Sequence, residues 1–313
     1  MSSSRTRDTQ PSLDNTTDKN ATSGLVIANY GKQLLVEDAH GELYRCVTRR
    51  GLEQIVCGDQ VGWLKTGEHS GVVETLEQRT TVMLKTDGNK RQRPLAANID
   101  QIVIEAATEP AMDAYLIDKY TIAAELTGAR PLIIINKADL LDNEQRASIE
   151  ALMHEFDRIG YKHLFTSALE NTGIDAFSRE LANRTSILVG QSGVGKSSLV
   201  KRLLPEQDIT IGKLSEASGQ GKHTTTATTL YHLPGGGDLI DSPGVRDFRL
   251  GDIDPGELAN GFRDFFPYLG ECRFNDCLHL GEPGCAVIAA LDSGRISERR
   301  MESYRRLQSQ SNQ

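Results

Sequence analysis

Apolar and polar positions along the chain follow two rhythms, with a change of period between residues 86 and 94. From Gly24 to about Lys85, short apolar runs alternate with glycine-containing and polar turns, the signature of β-strands in a small domain. Leu25–Ala28 and Gln33–Val36 flank a hairpin-like turn at Asn29-Tyr30-Gly31-Lys32, and Leu43–Val47, Val61–Leu64 and Gly71–Leu76 continue the series. About five short strands in about sixty residues predict a small closed barrel, of the OB or SH3-like kind. Cys46 and Cys57 fall inside this pattern as small core residues.

Residues 86–93 read as a polar, basic connection. Beyond it the apolar runs lengthen and alternate with helical periodicity. Ile102–Ile104 and Leu132–Ile135 predict buried strands, as do His163–Phe165 and Ser186–Val189. Asp113–Thr127 predicts a helix closed by Gly128, and Ile149, Leu152, Phe156 and Ile159 mark the inner face of the next. Alternating β and α elements of this kind imply a mostly parallel, doubly wound sheet. From Asp252 onward the chain reads as helical and polar, ending in an Arg-rich helix over Ile296–Gln308. Residues 1–23, rich in Ser, Thr, Asp and Asn, predict a disordered tail. The expected division is therefore a tail at 1–23, a barrel with its linker at 24–93, an α/β domain at 94–250 and a helical domain at 251–313.

A net charge of −8 argues against a general polyanion binder. The basic residues are nonetheless clustered: Arg79, Lys85, Lys90, Arg91 and Arg93 in one run, Arg295, Arg299, Arg300, Arg305 and Arg306 in another. No apolar run approaches the about 20 residues of a membrane span, and the N-terminus lacks a signal-peptide core. The expectation is a cytoplasmic protein with no membrane partner, in which five cysteines serve metal binding or packing rather than disulfides.

The chemistry concentrates at the ends of the expected strands. Gly190-Gln191-Ser192-Gly193-Val194-Gly195-Lys196-Ser197 joins a buried strand to the helix beginning near Ser198. Glycines there let backbone N–H groups wrap a phosphate at a helix N-terminus, so this is a phosphate-binding loop. Lys196 would reach the β- and γ-phosphates, and the Ser197 hydroxyl would ligate Mg²⁺. Asn136-Lys137-Ala138-Asp139 closes the Leu132–Ile135 strand. The Asp139 carboxylate can accept from both the ring N–H and the exocyclic amine of guanine, a pair adenine does not offer, which selects GTP. Asn136 would tie the base to the neighbouring loop and the Lys137 stem would cover its face. Thr166-Ser167-Ala168 could offer a backbone N–H to the guanine oxygen. Asp241-Ser242-Pro243-Gly244 supplies an Asp for the Mg²⁺ shell and a Gly244 N–H for the γ-phosphate. Between the phosphate loop and this element lies Gly219–Thr226, a candidate switch at Thr224, Thr225 and Thr226, where Thr224 or Thr225 would complete the Mg²⁺ shell when a γ-phosphate is present.

In ordinary GTPases the phosphate loop precedes the base reader. Here Asn136–Asp139 comes first and Asp241 last, which is a circular permutation of the same sheet. The permutation ends the GTPase core at its second switch and leaves residues 251–313 attached directly to it. That segment carries Cys272, Cys277, His279 and Cys285 within fourteen positions, a donor set that fits one closed structural Zn²⁺ site. Val245 stands where Ras-like enzymes carry the glutamine that orients water, so His223 becomes the candidate water-positioning residue.

From about residue 24 the chain resembles the RsgA (YjeQ) family of circularly permuted GTPases. The resemblance rests on Gly58-Asp59-x-Val61, the permuted motif order, Gly221-x-His223-Thr224-Thr225-Thr226, Asp241-Ser-Pro-Gly244 and the Cys272–Cys285 knot. It implies an OB-fold, a GTPase domain and a zinc-binding domain. It also implies GTP hydrolysis to GDP, stimulated by the small (30S) ribosomal subunit during its late maturation, by a protein expected to be a monomer. Under that resemblance both basic clusters become candidate rRNA contacts. The alternatives are a nucleotide-gated RNA-binding scaffold and a permuted GTPase serving the large subunit.

Overall fold

A computed structural model describes residues 21–86, 91–204, 228–242 and 255–311. Most of the expected tail, the candidate switch with His223, Thr224, Thr225 and Thr226, and Gly244 and Val245 lie outside the described residues.

Five strands, β1 (Thr22–Asn29), β2 (Leu34–Glu37), β3 (Leu43–Thr48), β4 (Gln60–Gly67) and β5 (Ser70–Leu76), build the barrel. Its order is β1-β2-β3-β5-β4 with β4 returning to β1, and β3 runs parallel to β5. A closed five-stranded barrel of this connectivity is the OB arrangement. Alternate residues fill it: Val26, Val36, Tyr44, Cys46, Val61, Trp63 and Val73 form the core, with Tyr44 and Trp63 ring centroids 4.6 Å apart. Cys57 is buried too, but it belongs to the neighbouring core.

Strands enter the stretch expected as a polar connection from both sides, at Thr86 and at Gln92. β6 (Val82–Thr86) pairs antiparallel with β7 (Gln92–Ala97), so a domain limit at residue 93 falls inside a strand. Met83, Leu95 and Ala96 supply the reason, because they are buried in the core shared with the α/β sheet. Arg79, counted among the basic residues of this run, is not a surface charge. Its guanidinium donates to Asp59 Oδ1 and Oδ2, each at 2.7 Å, and Asp59 is fully buried. Asp59 also accepts from Val56 N at 2.7 Å, and Gly58 lies so close to Ala97 that a Cβ would sit 2.2 Å from its carbonyl oxygen. The Gly58-Asp59 pair thus has a structural role, seating the barrel on the β6–β7 pair.

The α/β part contains β8 (Gln101–Ala107), α1 (Ala114–Thr127), β9 (Arg130–Asn136), α2 (Asn143–Ile159), β10 (Lys162–Phe165), α3 (Ile174–Leu181), β11 (Thr185–Gly190), α4 (Lys196–Leu203), β12 (Thr229–His232) and β13 (Asp238–Asp241). Strand order is β10-β9-β8-β11-β13-β12, all parallel except β12. Helices α1 and α2 cover one face through Ile117, Tyr120, Ala123, Met153 and Phe156. Helices α3 and α4 cover the other through Phe177, Leu181, Leu199 and Leu203, which makes the sheet doubly wound. Gly128 ends α1 in the left-handed conformation, as expected from the sequence, while Asp113, expected as its first residue, is its N-cap.

Barrel and sheet are continuous. β12 pairs with β13 on one side and, at Ala28–Thr229, with β1 on the other, and one apolar core runs from Ile27 and Leu35 to Ile102 and Ile240. His232 bridges the junction, with Nδ1 2.6 Å from Asp238 and Nε2 2.7 Å from Glu37 of the barrel. The Asp238 contact, with help from Glu37 and against partial desolvation, raises its pKa to about 9. A folded-state pKa above the ordinary 6.5 stabilises the fold fully below pH 6.5, and the contribution is lost as pH rises through about 9. Because the ring is half exposed, the effect is expected to be small, under about 1 kcal/mol. His232→Gln should therefore lower the denaturant midpoint at pH 6 and leave it unchanged at pH 9.5; equal losses at both would remove the ionic explanation.

Past residue 255 come two 3-10 turns (Leu258–Gly261 and Arg263–Tyr268), α5 (Ala286–Asp292) and α6 (Glu298–Ser311). Their core is Phe262, Phe265, Val287, Met301 and Tyr304, joined to α1 through Ile122. Arg300 is fully buried, donating to Asp118 of α1 at 2.7 Å and to Asp264 at 2.6 Å, while Arg299 reaches Asp118 and Glu155, each at 2.6 Å. These two arginines are therefore withdrawn as rRNA contacts: they fasten the C-terminal segment to the α/β part. Arg306 lies over the Tyr115 ring at 3.8 Å and Arg295 over Tyr268 at 5.3 Å. Among the described residues no helix is long and apolar enough to cross a membrane.

Candidate nucleotide site and metal centre

All the expected nucleotide-binding segments lie at the C-terminal ends of parallel strands, where doubly wound sheets place their ligands. β11 occupies the middle and delivers Gly190; Gly195, with φ +118°, is the N-cap of α4. Ser192, Ser197 and Ser198 are exposed, whereas Val194 is buried and anchors the loop. The Lys196 ammonium is held at the loop by Gly190 O at 2.8 Å and Gln191 O at 2.6 Å.

Asn136, at the end of β9, is the hinge between the base-reading turn and this loop. Its Nδ2 donates to Val194 O at 3.1 Å and to Glu105 Oε1 at 2.9 Å, and its Oδ1 accepts from Thr166 Oγ1 at 3.3 Å. Lys137 adopts φ +59° and places its ammonium 2.6 Å from Glu109 O, so its stem extends past the turn. Ala138 N donates to Thr166 O at 3.0 Å, locking the two expected base-reading segments together, and Asp139 stands half-buried in the 3-10 turn that follows. Ser167 is buried, its Oγ accepting from Glu170 N at 3.0 Å. Ala168 O accepts from Arg202 of α4 at 2.6 Å. On the other side of β11, Asp241 closes β13, and Ser242 Oγ lies 2.9 Å from Thr228.

Two residues of this crevice are absent from the sequence reading. Arg202 joins the helix of the phosphate loop to the Ser167–Ala168 segment, and nothing local marks it. Glu105 lies within β8, two residues before its end, 2 % exposed, and its burial raises the carboxyl pKa to about 7 against the Asn136 hydrogen bond and the nearby Lys196 and Lys137. The signal was available: a lone carboxylate ends the apolar run Ile102-Val103-Ile104.

A phosphate loop at the centre of a doubly wound sheet, with its base-reading turn on earlier strands and its acidic strand end last, defines a circularly permuted GTPase. The RsgA GTPase family model matches residues 76–251. The chain is 47% identical over 289 residues to small ribosomal subunit biogenesis GTPase RsgA 1 of Vibrio vulnificus (strain YJ016), covering 91% of this chain and 82% of that protein. It is 46% identical over 288 residues to small ribosomal subunit biogenesis GTPase RsgA of Hahella chejuensis, covering 91% and 83%. The solved structure of YjeQ from Thermotoga maritima superposes with a TM-score of 0.76 at 30% identity, over 93% of this chain and 98% of that one. That of YloQ, a circularly permuted GTPase, gives 0.74 at 24% identity over 95% and 97%, a likeness of fold. The chain belongs to the RsgA GTPase family.

The C-terminal knot gathers Cys272, Cys277, His279 and Cys285 with all four donor atoms within 4.8 Å of one another. Cys272 Sγ is 3.9 Å from Cys285 Sγ, and His279 Nδ1 is 3.5 and 3.4 Å from these sulfurs. A tetrahedral ion with metal–sulfur bonds of about 2.3 Å and metal–nitrogen bonds of about 2.0–2.1 Å requires edges of about 3.8 and 3.5 Å. The donor set fits a metal ion. Burial keeps the His279 ring neutral, the form that ligates, and backbone N–H groups of Ala286 and Ile288 point at Cys272 and Cys285 sulfurs at 3.4 Å. Against the cost of its partial burial, Glu282 is held below its ordinary pKa by N–H groups of Leu278, Leu280 and Gly281, which shapes the turn carrying His279.

Proposed function

We propose that this chain binds GTP in the crevice at the ends of β9, β10, β11 and β13 and hydrolyses it to GDP and phosphate on the small (30S) ribosomal subunit, assisting that subunit's late maturation. The observation that carries the reading is Asn136, which joins the base-reading turn to the phosphate loop through Val194 and so makes one crevice of two motifs. The names of the Vibrio and Hahella relatives support the choice of subunit. Asp139 would read guanine, with Asn136, Lys137, Ala138, Ser167 and Ala168 framing the base. Residues Gly190 to Ser198 would wrap the phosphates, and Lys196 would neutralise charge on the transferring phosphoryl group. Mg²⁺ would be held by Ser197 and Asp241, with Thr225 completing its shell, and would supply charge neutralisation on the phosphates. We assign water positioning to His223, and nucleotide sensing to Thr224, Thr226 and Gly244.

We assign the knot to one structural Zn²⁺, because three thiols and one imidazole leave no open coordination position. The protein acts as a monomer in the cytoplasm, and rRNA phosphates would meet Lys85, Arg91 and Arg93 at the β6–β7 pair, with Arg305 on α6. Arg93 and Arg305 are exposed there, unlike Arg79 and Arg300.

The test is GTP turnover by the purified protein, alone and with separated small and large subunits. Acceleration by the small subunit is expected, and Lys196→Ala should lower that stimulated rate by about 10²–10³-fold. GTP bound without acceleration would instead make the chain a nucleotide-gated RNA-binding scaffold.

A further inference from the structure

The Glu105 carboxyl is a buried acid placed against the loop expected to surround phosphates. Oε1 accepts from Asn136, and a Cβ on Gly195 would lie 3.2 Å from it, so the carboxyl touches the loop where α4 begins. Oε2 is buried and has no hydrogen-bond partner. Ionised, such an oxygen carries charge that no donor stabilises, a costly arrangement unless a cation stands nearby. Among the described residues the cations that act on it are Lys196 from α4 and Lys137 at the end of β9. Asp113, at the N-cap of α1, lines the same small cavity and adds no positive charge. Lys196 is also the cation that the phosphates of a bound nucleotide would claim. One ammonium thus faces two anions, and they cannot both have it.

We propose that Glu105 is a positioning residue for Asn136 whose charge is linked to nucleotide: when a guanosine triphosphate occupies the crevice, the carboxylate takes one proton from solvent and stays as the neutral acid. This deepens, and rests on, the nucleotide-binding reading. Oε1 keeps its bond from Asn136 in both forms, while protonation at Oε2 removes the buried charge that would repel the phosphates. In the nucleotide-free protein the carboxyl titrates near pH 7, raised by burial. Bound phosphates move it higher, because they add negative charge and neutralise Lys196. The sign follows. Nucleotide affinity is greatest below pH 7 and falls as pH rises through that value, where binding must first supply the proton.

The experiment is calorimetric titration of the full-length protein with a non-hydrolysable GTP analogue and Mg²⁺, in two buffers of different ionisation enthalpy, at pH 6 and 8. Glu105→Gln preserves the acceptor for Asn136 and removes the titration. At pH 8 the wild type should take up nearly one proton more than E105Q, and at pH 6 the two should differ little. The ratio of their dissociation constants should grow by about fivefold between pH 7 and 8. A thermal midpoint for E105Q within a few degrees of wild type shows that the comparison is of folded proteins. Equal proton uptake, with binding intact in both, overturns the proposal alone. Absence of binding by either protein overturns the nucleotide reading and the proposal with it.

Discussion

Stripping the metal from the Cys272–Cys285 knot is expected to unfold it locally and to release one equivalent of zinc, while the nucleotide sheet stays folded. The three sulfurs and the imidazole are held at van der Waals distances, with Cys272 and Cys285 sulfurs 3.9 Å apart. Without a cation, burial pushes the Cys277 thiol up to about 12, aided by the neighbouring Cys285 and Cys272, so the crowded groups become neutral and lose what draws them together. Small zinc modules gain about 10–16 kcal/mol from the ion at neutral pH. The loss here is partly offset because the apolar core of Phe262, Phe265 and Tyr304 remains, with Tyr304 donating to Leu278 O at 2.7 Å. Metal content and hydrogen exchange over residues 262–311, before and after chelation under reducing conditions, measure the outcome. Unchanged protection at 272–285 in a metal-free sample would refute the structural role. Cys285→Ser should reproduce the chelated state.

The second large effect concerns Arg300. Replacing it with Ala is expected to cost about 3–5 kcal/mol, because it leaves Asp118 charged, fully buried and short of a partner. Asp118 would retain Arg299 and Ser303, each at 2.6 Å, but Asp264 would lose both its bonds from Arg300. The buried acid rather than the missing arginine sets the cost. Arg300→Met combined with Asp118→Asn should therefore destabilise by clearly less than the sum of the single changes. Denaturant titration of the four proteins decides it, and strict additivity would count against a coupled network. Arg305→Ala, one helical turn from the same network but exposed, should leave stability unchanged within about 0.5 kcal/mol.

The contrast between Arg300 and Arg305 shows where sequence reading stops. Both sit in one basic run, and a linear pattern assigns them the same face and partner. What separates them is Asp118, 182 positions earlier in the chain and brought alongside only by the packing of α6 on α1. The phosphate loop, by contrast, is written locally: a strand, glycines at fixed offsets and a helix are all within about fifteen residues, and so is the Cys/His knot. The strands of the barrel and its closed form were legible from alternation and strand count, yet its pairing order was not, since the β1–β4 and β3–β5 pairings depend on long-range register. The β6–β7 pair was missed because the polar residues of the 86–93 sequence outweighed Met83, Leu95 and Ala96, whose burial needs the neighbouring sheet. Strand β12, four residues long, gains its place from neighbours on both sides rather than from its own propensity. Glu105 lies between these cases. A single charge ending an apolar run is visible, but its partner Asn136 becomes visible only when β8 and β9 are laid side by side.

The strand β12 also governs how the protein can be cut. Its outer edge is covered by β1, so a fragment beginning near residue 98 would leave that backbone without its partner and strip Ile27, Ala28 and Leu35 from the core they share with Ile102 and Ile240. Exposed edges of that kind seek other strands, and the usual result is self-association. A GTPase fragment excised for crystallisation or for a nucleotide assay would be sticky for a reason unrelated to its chemistry. The smallest piece that keeps its own solubility extends back to the first strand of the barrel, well beyond the segment that surrounds the phosphates.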